Sequence, residues 1–522
     1  MTTPYYSANE ASIPIVQGHA VSAPGGASYQ THDPVSPPQG NYSAHSPDVN
    51  EVFHGEPQPA QYKDPIWAIL FYIHLGVMAF LAIRYAPLMA QEMAAEYVGG
   101  AYRKLSSAVV TRSLEEGSNV EGESAELEID IASLVTIIVL VGLAALLVSS
   151  AAIGLMMAFP KPLIKMALFF NLFLTGAMAI MSLIAGAIFP AIMIGVAFMF
   201  NVCFIRAVWS RIPFAAANLV TAISAVKSNM GLTFFAYNNL FVTFFWSIWW
   251  SIAFVATSYV VSNCNAQGYC ENEMNGGLVF LFLVSFFWTA QVVKNVVHVT
   301  VAGTVGTWWL FPQEANGCCS SAVRDSYWRS ITTSFGPICL GSLVVAVIQA
   351  TREIVNSMRN QDDSLLLCIA NCLLGCLEQL AEYFNKWAYI YVGLYGYGFV
   401  EASVNVLNLF NSRGWSAIIA DTLVDTVLLM VSLSVGLLTG LIGLIVAAAM
   451  QQGGGSLVGA FFIGMLIGVV FCSTLFGLIS SGVNAVIVLF AESPAEFAIN
   501  HPELSWEMLK TWREAYPTDF LY

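Results

Sequence analysis

From Met166 to Ile205 the chain contains no Asp, Glu, Lys or Arg. An uncharged run of this length is about twice the roughly 20 residues that carry one helix across the hydrocarbon of a bilayer. Backbone amides in hydrocarbon have no water to pair with, so a helix, whose hydrogen bonds are all internal, is the form such a run takes. Phe189-Pro190 interrupts it, which predicts two spans closed by a tight turn. Apolar runs of spanning length recur at 66–83, 133–159, 232–261, 277–309, 418–450 and 457–490, and two more lie between Ser330 and Phe399. Only 10% of the 522 residues are charged and 57% are hydrophobic, against about 25% charged in soluble proteins. The expected fold class is an all-α polytopic membrane protein with about ten transmembrane helices, and its first partner is the lipid bilayer.

Residues 1–64 are of another kind, rich in Pro, Ser, Gly, Gln, Asn and Tyr, with Lys63 as their only base. Such a segment cannot bury enough apolar surface to offset its ordering entropy. It is expected to be a disordered N-terminal tail, dispensable for folding as far as Tyr62, and it lacks the basic start and apolar core of a signal peptide. The domain plan is a tail over 1–64, a transmembrane domain over 65–492 and a C-terminal tail over 493–522. Residues 212–228 alternate small apolar residues with Asn218, Thr221, Ser224 and Lys227 and read as an interfacial or buried amphipathic helix. Lys161, Lys165, Arg206, Arg211, Arg324 and Arg329 fall in alternate connections between spans. Cytosolic loops carry the excess of bases, so both termini are expected in the cytosol. By that parity the loop 262–276 faces outside, and its close cysteine pair, Cys264 and Cys270, is expected to form an exoplasmic disulfide.

A net charge of −14 and a pI near 4.9 leave no basic patch for nucleic acid. Most of the ten cysteines lie in apolar segments and read as small buried hydrophobes. Cys368, Cys372 and Cys376 repeat every four residues, but no fourth ligand nearby completes a tetrahedral zinc set. No metal, ATP or redox cofactor is expected. There is no H-E-x-x-H and no nucleophile elbow, and the chain is not expected to be an enzyme.

Ionisable and aromatic residues are densest between Ser330 and Phe399. Glu378, Glu382 and Lys386 follow one another at i, i+4 steps, which stacks them on one helical face, acid N-terminal to base. Charge at membrane depth costs several kcal/mol, by roughly the scale of insertion measurements. The stripe is therefore either self-paired or part of a polar pathway for a solute. Asp421 and Asp425, again four apart, open the ninth span, where a helix dipole also stabilises acids. Lys294, Asn295 and His298 interrupt the sixth.

The same stretches carry a family resemblance. S-F-G-P-I-C-L-G-S-L from Ser334, C-L-E-Q-L-A-E-Y-F-N-K-W-A-Y-I from Cys376 and G-L-Y-G-Y-G-F from Gly393 resemble the choline transporter-like family. So do R-I-P-F from Arg211, V-V-K-N-V-V-H-V-T-V-A-G-T-V-G-T-W-W from Val292 and A-D-T-L-V-D from Ala420. The likeness runs in order over roughly 65–492 and is greatest to the pH-nine-sensitive branch; Pro337, Trp387 and Tyr397 depart from the usual patterns. It implies a solute carrier of the plasma membrane whose substrate is choline or a related small organic cation. A quaternary ammonium is held by aromatic faces, worth up to roughly 2 kcal/mol each when desolvated, together with a carboxylate. Glu378, Glu382, Tyr383, Trp387, Tyr389, Tyr391 and Tyr395 offer both chemistries in one segment, with Trp288, Asp421 and Asp425 as further candidates. On this reading Tyr391→Ala lowers substrate affinity and leaves stability near wild type. A non-transporting scaffold that signals through its tails is the alternative.

Overall fold

A computed structural model describes residues 57–111, 131–184, 186, 188–262, 274–318, 320–361, 365–413, 423–450 and 454–517. These residues are helical with no strand among them, and ten of the helical segments are long and apolar enough to cross a bilayer. In chain order the helices are α1 (Pro65–Thr111), α2 (Ile131–Ala158), α3 (Pro160–Ile184), α4 (Ile188–Val208), α5 (Ile212–Ser228), α6 (Gly231–Val261), α7 (Gly276–Leu310) and α8 (Ser321–Ile331). They continue as α9 (Phe335–Gln361), α10 (Leu365–Tyr395), α11 (Phe399–Arg413), α12 (Leu423–Ala449), α13 (Gly454–Glu492), α14 (Pro494–Asn500) and α15 (Pro502–Ala515). Cys264, Cys270 and Asp421 lie outside the described residues, as does the N-terminal tail up to residue 56.

The outer surface is apolar. Phe173, Ile180, Met181, Ile184 and Phe200 on α3 and α4 stand exposed, a face that only hydrocarbon covers without cost. Lipid tails are as apolar as these side chains, so polar bonds and small residues must hold the helices together. Asn171 donates to Asn201 across 3.1 Å to join α3 to α4, and Thr439 donates to the Gly464 carbonyl at 2.9 Å where α12 meets α13. Helix α7 is the central post and packs on α5, α6, α8, α9, α10, α13 and α14.

One end of the bundle is closed by protein. Trp309 stacks on Phe497 at 3.7 Å between centroids and its indole donates to the Ser493 carbonyl, while the Trp512 indole donates to Asn218 on α5. Helix α5 is buried along most of its length, the second of the two placements its pattern allows. At the same end residues 57–64 form a strap. Its backbone donates from Gln58 to the Tyr395 carbonyl and from Lys63 to that of Thr333, and the Asp64 carboxylate accepts from the Phe399 amide that opens α11. Gly336 admits this crossing, because a Cβ there would collide with the carbonyls of Lys63 and Asp64. The strap therefore packs with the helical bundle.

Two local expectations are corrected. Helix α3 ends at Ile184 and α4 begins at Ile188, so Pro190 sits in the first turn of α4, where a missing amide costs nothing. Gly336-Pro337 is likewise first-turn material, so α9 is unbroken, whereas α10 stops at Tyr395 because Gly396 takes a left-handed φ of +77° before α11 begins. Cys368, Cys372 and Cys376 are exposed on the outer face of α10, and only Cys339 and Cys472 among the described cysteines are buried, since lipid accepts a thiol as readily as a core does.

Candidate functional site

The polar residues of the interior form a track along α10, built jointly with α7, α9, α12 and α13. It begins where Arg352 on α9 pairs with Glu378 on α10 and also donates to Asn371. Gln349, one turn earlier on α9, donates to the other Glu378 oxygen at 3.0 Å. Gln291 on α7 donates to Gln349 at 3.3 Å and to Glu382 at 3.4 Å. Two carboxylates one turn apart are thus held by one guanidinium and two neutral amides. Among the described residues Glu382 makes no ion pair.

The next turn carries Lys386, whose Nζ is 3.7 Å from the Asp425 carboxylate on α12. Asp425 also accepts from the Ser480 hydroxyl of α13 at 2.7 Å. The lysine ammonium lies over the rings of Trp387 and Tyr383, at 4.8 and 5.4 Å from their centroids. The anticipated pairing of Lys386 with Glu382 is therefore not the one formed here: the base reaches another helix, because Asp425 and two aromatic faces stand closer to it. Beside it His298 bridges Ser481 and the Lys386 carbonyl at 2.6 and 2.9 Å, a packing role that ties α7 to α10 and α13.

Beyond Lys386 the helix is sealed. Asn295 on α7 donates to Ser342 at 2.9 Å, and the Tyr389 hydroxyl, between them, donates to the Ile338 carbonyl. Tyr391 and Tyr395 both donate to the buried carboxylate of Glu492 at the end of α13. Burial lowers the Arg413 guanidinium at the end of α11 from its ordinary value, and the Glu492 charge opposes that shift. Trp387 and Tyr391 are 1% and 0% exposed, so neither presents a free face to a solute in this conformation.

Trp288 lies on the other side of α7, facing α1. It stacks on His74 at 4.9 Å, meets Phe71 edge-on and donates to the Cys339 carbonyl at 2.9 Å. His74 is further bonded to Ser285 and Thr289. Of the residues singled out in the sequence, Glu378 and Glu382 share one cluster, and Tyr383, Trp387 and Asp425 a second. Tyr391 and Tyr395 share a third, and Trp288 stands apart.

A family model described as plasma-membrane choline transporter matches residues 192–495. The chain belongs to the choline transporter-like family. It is 29% identical over 488 residues to protein PNS1 of Mycosarcoma maydis, covering 90% of this chain and 86% of that one. It is 30% identical over 326 residues to a CTL-like protein of Dictyostelium discoideum, covering 61% and 56% of the two chains. With PNS1 of Gibberella zeae it shares 30% over 319 residues, 58% and 59% of each. The PNS1 relatives set it in the pH-nine-sensitive branch. The protein is thus an integral membrane protein of a transporter family, and the matched region takes in the whole polar track.

The family motifs occupy the contacts just described: Arg211 of R-I-P-F lies over the Tyr516 ring, and Asn295 and His298 are the buried bridges of α7. Sequence reasoning missed His74, Gln291, Gln349, Arg352, Ser480 and Glu492. Arg352 had a usable signal, because every charge at membrane depth needs a partner, and it is the cation of the preceding span. Nothing in the sequence places Ser480 beside Asp425.

Proposed function

We propose that the protein carries choline or a related small organic cation across its membrane, using the polar track of α10. The observation that carries this reading is Glu382. Its carboxylate sits at membrane depth against a neutral amide, while its neighbour Glu378 is matched by Arg352. Leaving a carboxylate there costs several kcal/mol, roughly, unless a cation comes to it. A quaternary ammonium has no proton to donate, so it needs charge and aromatic faces rather than hydrogen-bond acceptors. Tyr383, one residue along from Glu382, supplies such a face beside the track. The closed end of the bundle gathers Lys161, Arg211, Lys227, Arg324 and Arg329, and this excess of bases supports a cytosolic position for that end and for both termini. We assign the protein to the plasma membrane on the family's description.

Uptake of labelled choline into liposomes holding the purified protein tests the reading. Wild type should accumulate choline and be inhibited by tetramethylammonium, and Glu382→Gln should take up little. Uptake that is absent in wild type, or undiminished in Glu382→Gln, overturns it.

A further inference from the structure

Lys386 places its own ammonium where the chemistry for an organic cation is assembled. Two aromatic faces lie within 4.8 and 5.4 Å, and a carboxylate oxygen lies 3.7 Å away. Three helices contribute: α10 gives the rings and the lysine, α12 gives Asp425, and α13 gives the Ser480 hydroxyl that fixes the carboxylate. We propose that Tyr383, Trp387 and Asp425 form a binding site for a monovalent organic ammonium ion, and that Lys386 is its tethered occupant, displaced when the ligand arrives.

The charge count supports displacement. Arg352 offsets Glu378, which leaves Glu382 and Asp425 sharing the single charge of Lys386. The cluster is one negative charge over, and one monovalent cation balances it. Glu382 lies one turn N-terminal to Lys386, a spacing at which a lysine pairs readily with a glutamate on its own helix. In this structure it holds only the neutral Gln291 among its described polar partners. A lysine that turns from Asp425 to Glu382 therefore moves from one carboxylate to another, keeps its charge paired, and frees both rings and Asp425 for the ligand. His298, bonded through its ring to the Lys386 carbonyl and to Ser481, fixes the backbone about which the side chain turns. Lys294, the other base near this level, is exposed and pairs with none of these carboxylates among the described residues. The empty state leaves one carboxylate, Glu382, without a cation, and the filled state leaves none, so the ligand's own charge completes the pairing within the bilayer.

This inference rests on the transport reading for its ligand class, and its test separates the two. Tetramethylammonium is the probe, because charge and methyl groups are all it has, and its binding is measured on the purified full-length protein. Lys386→Met removes the competitor, and binding should tighten by about 3- to 30-fold, the range that aromatic faces supply. Lys386→Gln, which keeps a polar end should the methionine variant fold poorly, should tighten it in the same sense. Adding Asp425→Asn to either variant should abolish the gain. A lysine that is merely structural would instead lose stability with binding unchanged or weaker, and that result in both variants overturns the proposal. If wild type takes up choline and neither variant binds tetramethylammonium more tightly, the tethered occupant is wrong and the transport reading stands. If wild type takes up no choline yet the Asp425-dependent gain appears, the site stands without the transport reading.

Discussion

The two ends of α10 are put to opposite use. From Leu365 to Phe384 the helix turns an apolar face, with Leu366, Leu373, Leu377 and Leu380 exposed, toward lipid and a carboxylate face toward α7 and α9. From Ala388 to Leu394 it is buried, and the tyrosines of this end spend their hydroxyls on Ile338, Ser342 and Glu492. The difference teaches that an aromatic ring beside an acid is not by itself a cation site. Where the ring's own hydroxyl donates to the acid, the pair is already satisfied. Where the acid meets only neutral amides, as Glu382 does, it remains available.

Substitutions in the two halves should therefore behave differently. Tyr391→Ala opens a cavity in the sealed half and removes a donor from a buried carboxylate. We expect about 3–5 kcal/mol of lost stability, seen as a large fall in the thermal unfolding temperature in detergent. This reverses the expectation from sequence, and Tyr391→Ala protein with wild-type stability and weakened cation binding would erase the distinction between the halves.

In the open half, Arg352→Met strands Glu378. The cost should be about 1–2 kcal/mol, less than for a sealed pair because the guanidinium is 41% exposed. Glu378→Gln in the same protein should restore most of it, and thermal unfolding of the single and double variants is the check. Glu382→Gln should leave stability nearly unchanged while choline affinity falls by roughly 2- to 30-fold. A stability loss in place of the affinity loss would make the open half structural too.

Two smaller effects sharpen the picture of the closed end. Asp64→Ala removes the carboxylate that caps α11 and should cost about 1 kcal/mol, whereas deletion of residues 1–56 should cost nothing measurable in the same unfolding assay. His501 stacks on Trp308 at 3.9 Å, and its burial holds the imidazole below its ordinary value. The folded form thus disfavours its proton. The stability His501 contributes is complete above the unfolded-state value of about 6.5 and is lost as pH falls from there through the folded value. Wild type should lose more unfolding temperature between pH 7.5 and pH 5.5 than His501→Gln does, and equal losses would exclude this group.

The number and order of the spans were legible in the sequence, because a bilayer converts hydropathy into geometry: an uncharged run of sufficient length can satisfy its backbone only as a helix. The uncharged run 166–205 and the charged stripe of α10 were both readable from the chain alone, and the run predicted the two spans found there. So were the family motifs, which led from residues to the transporter family before any contact was known. Pro190 misled, since proline at a first turn and proline that ends a span are identical in sequence, and only the start of the helix distinguishes them.

What each polar side chain faces was decided by the tertiary structure. Lys386 stands four residues from Glu382 and 39 from Asp425 in sequence, yet it is the distant acid that it meets, because the crossing of α10, α12 and α13 brings that oxygen to its ammonium. Tyr391 and Glu492 are 101 residues apart and share a buried bond for the same reason. Helical periodicity puts side chains on a face. Which neighbour that face meets depends on how far each helix is rotated and slid against the next, and those freedoms are set by packing across the whole bundle rather than by any local run of residues.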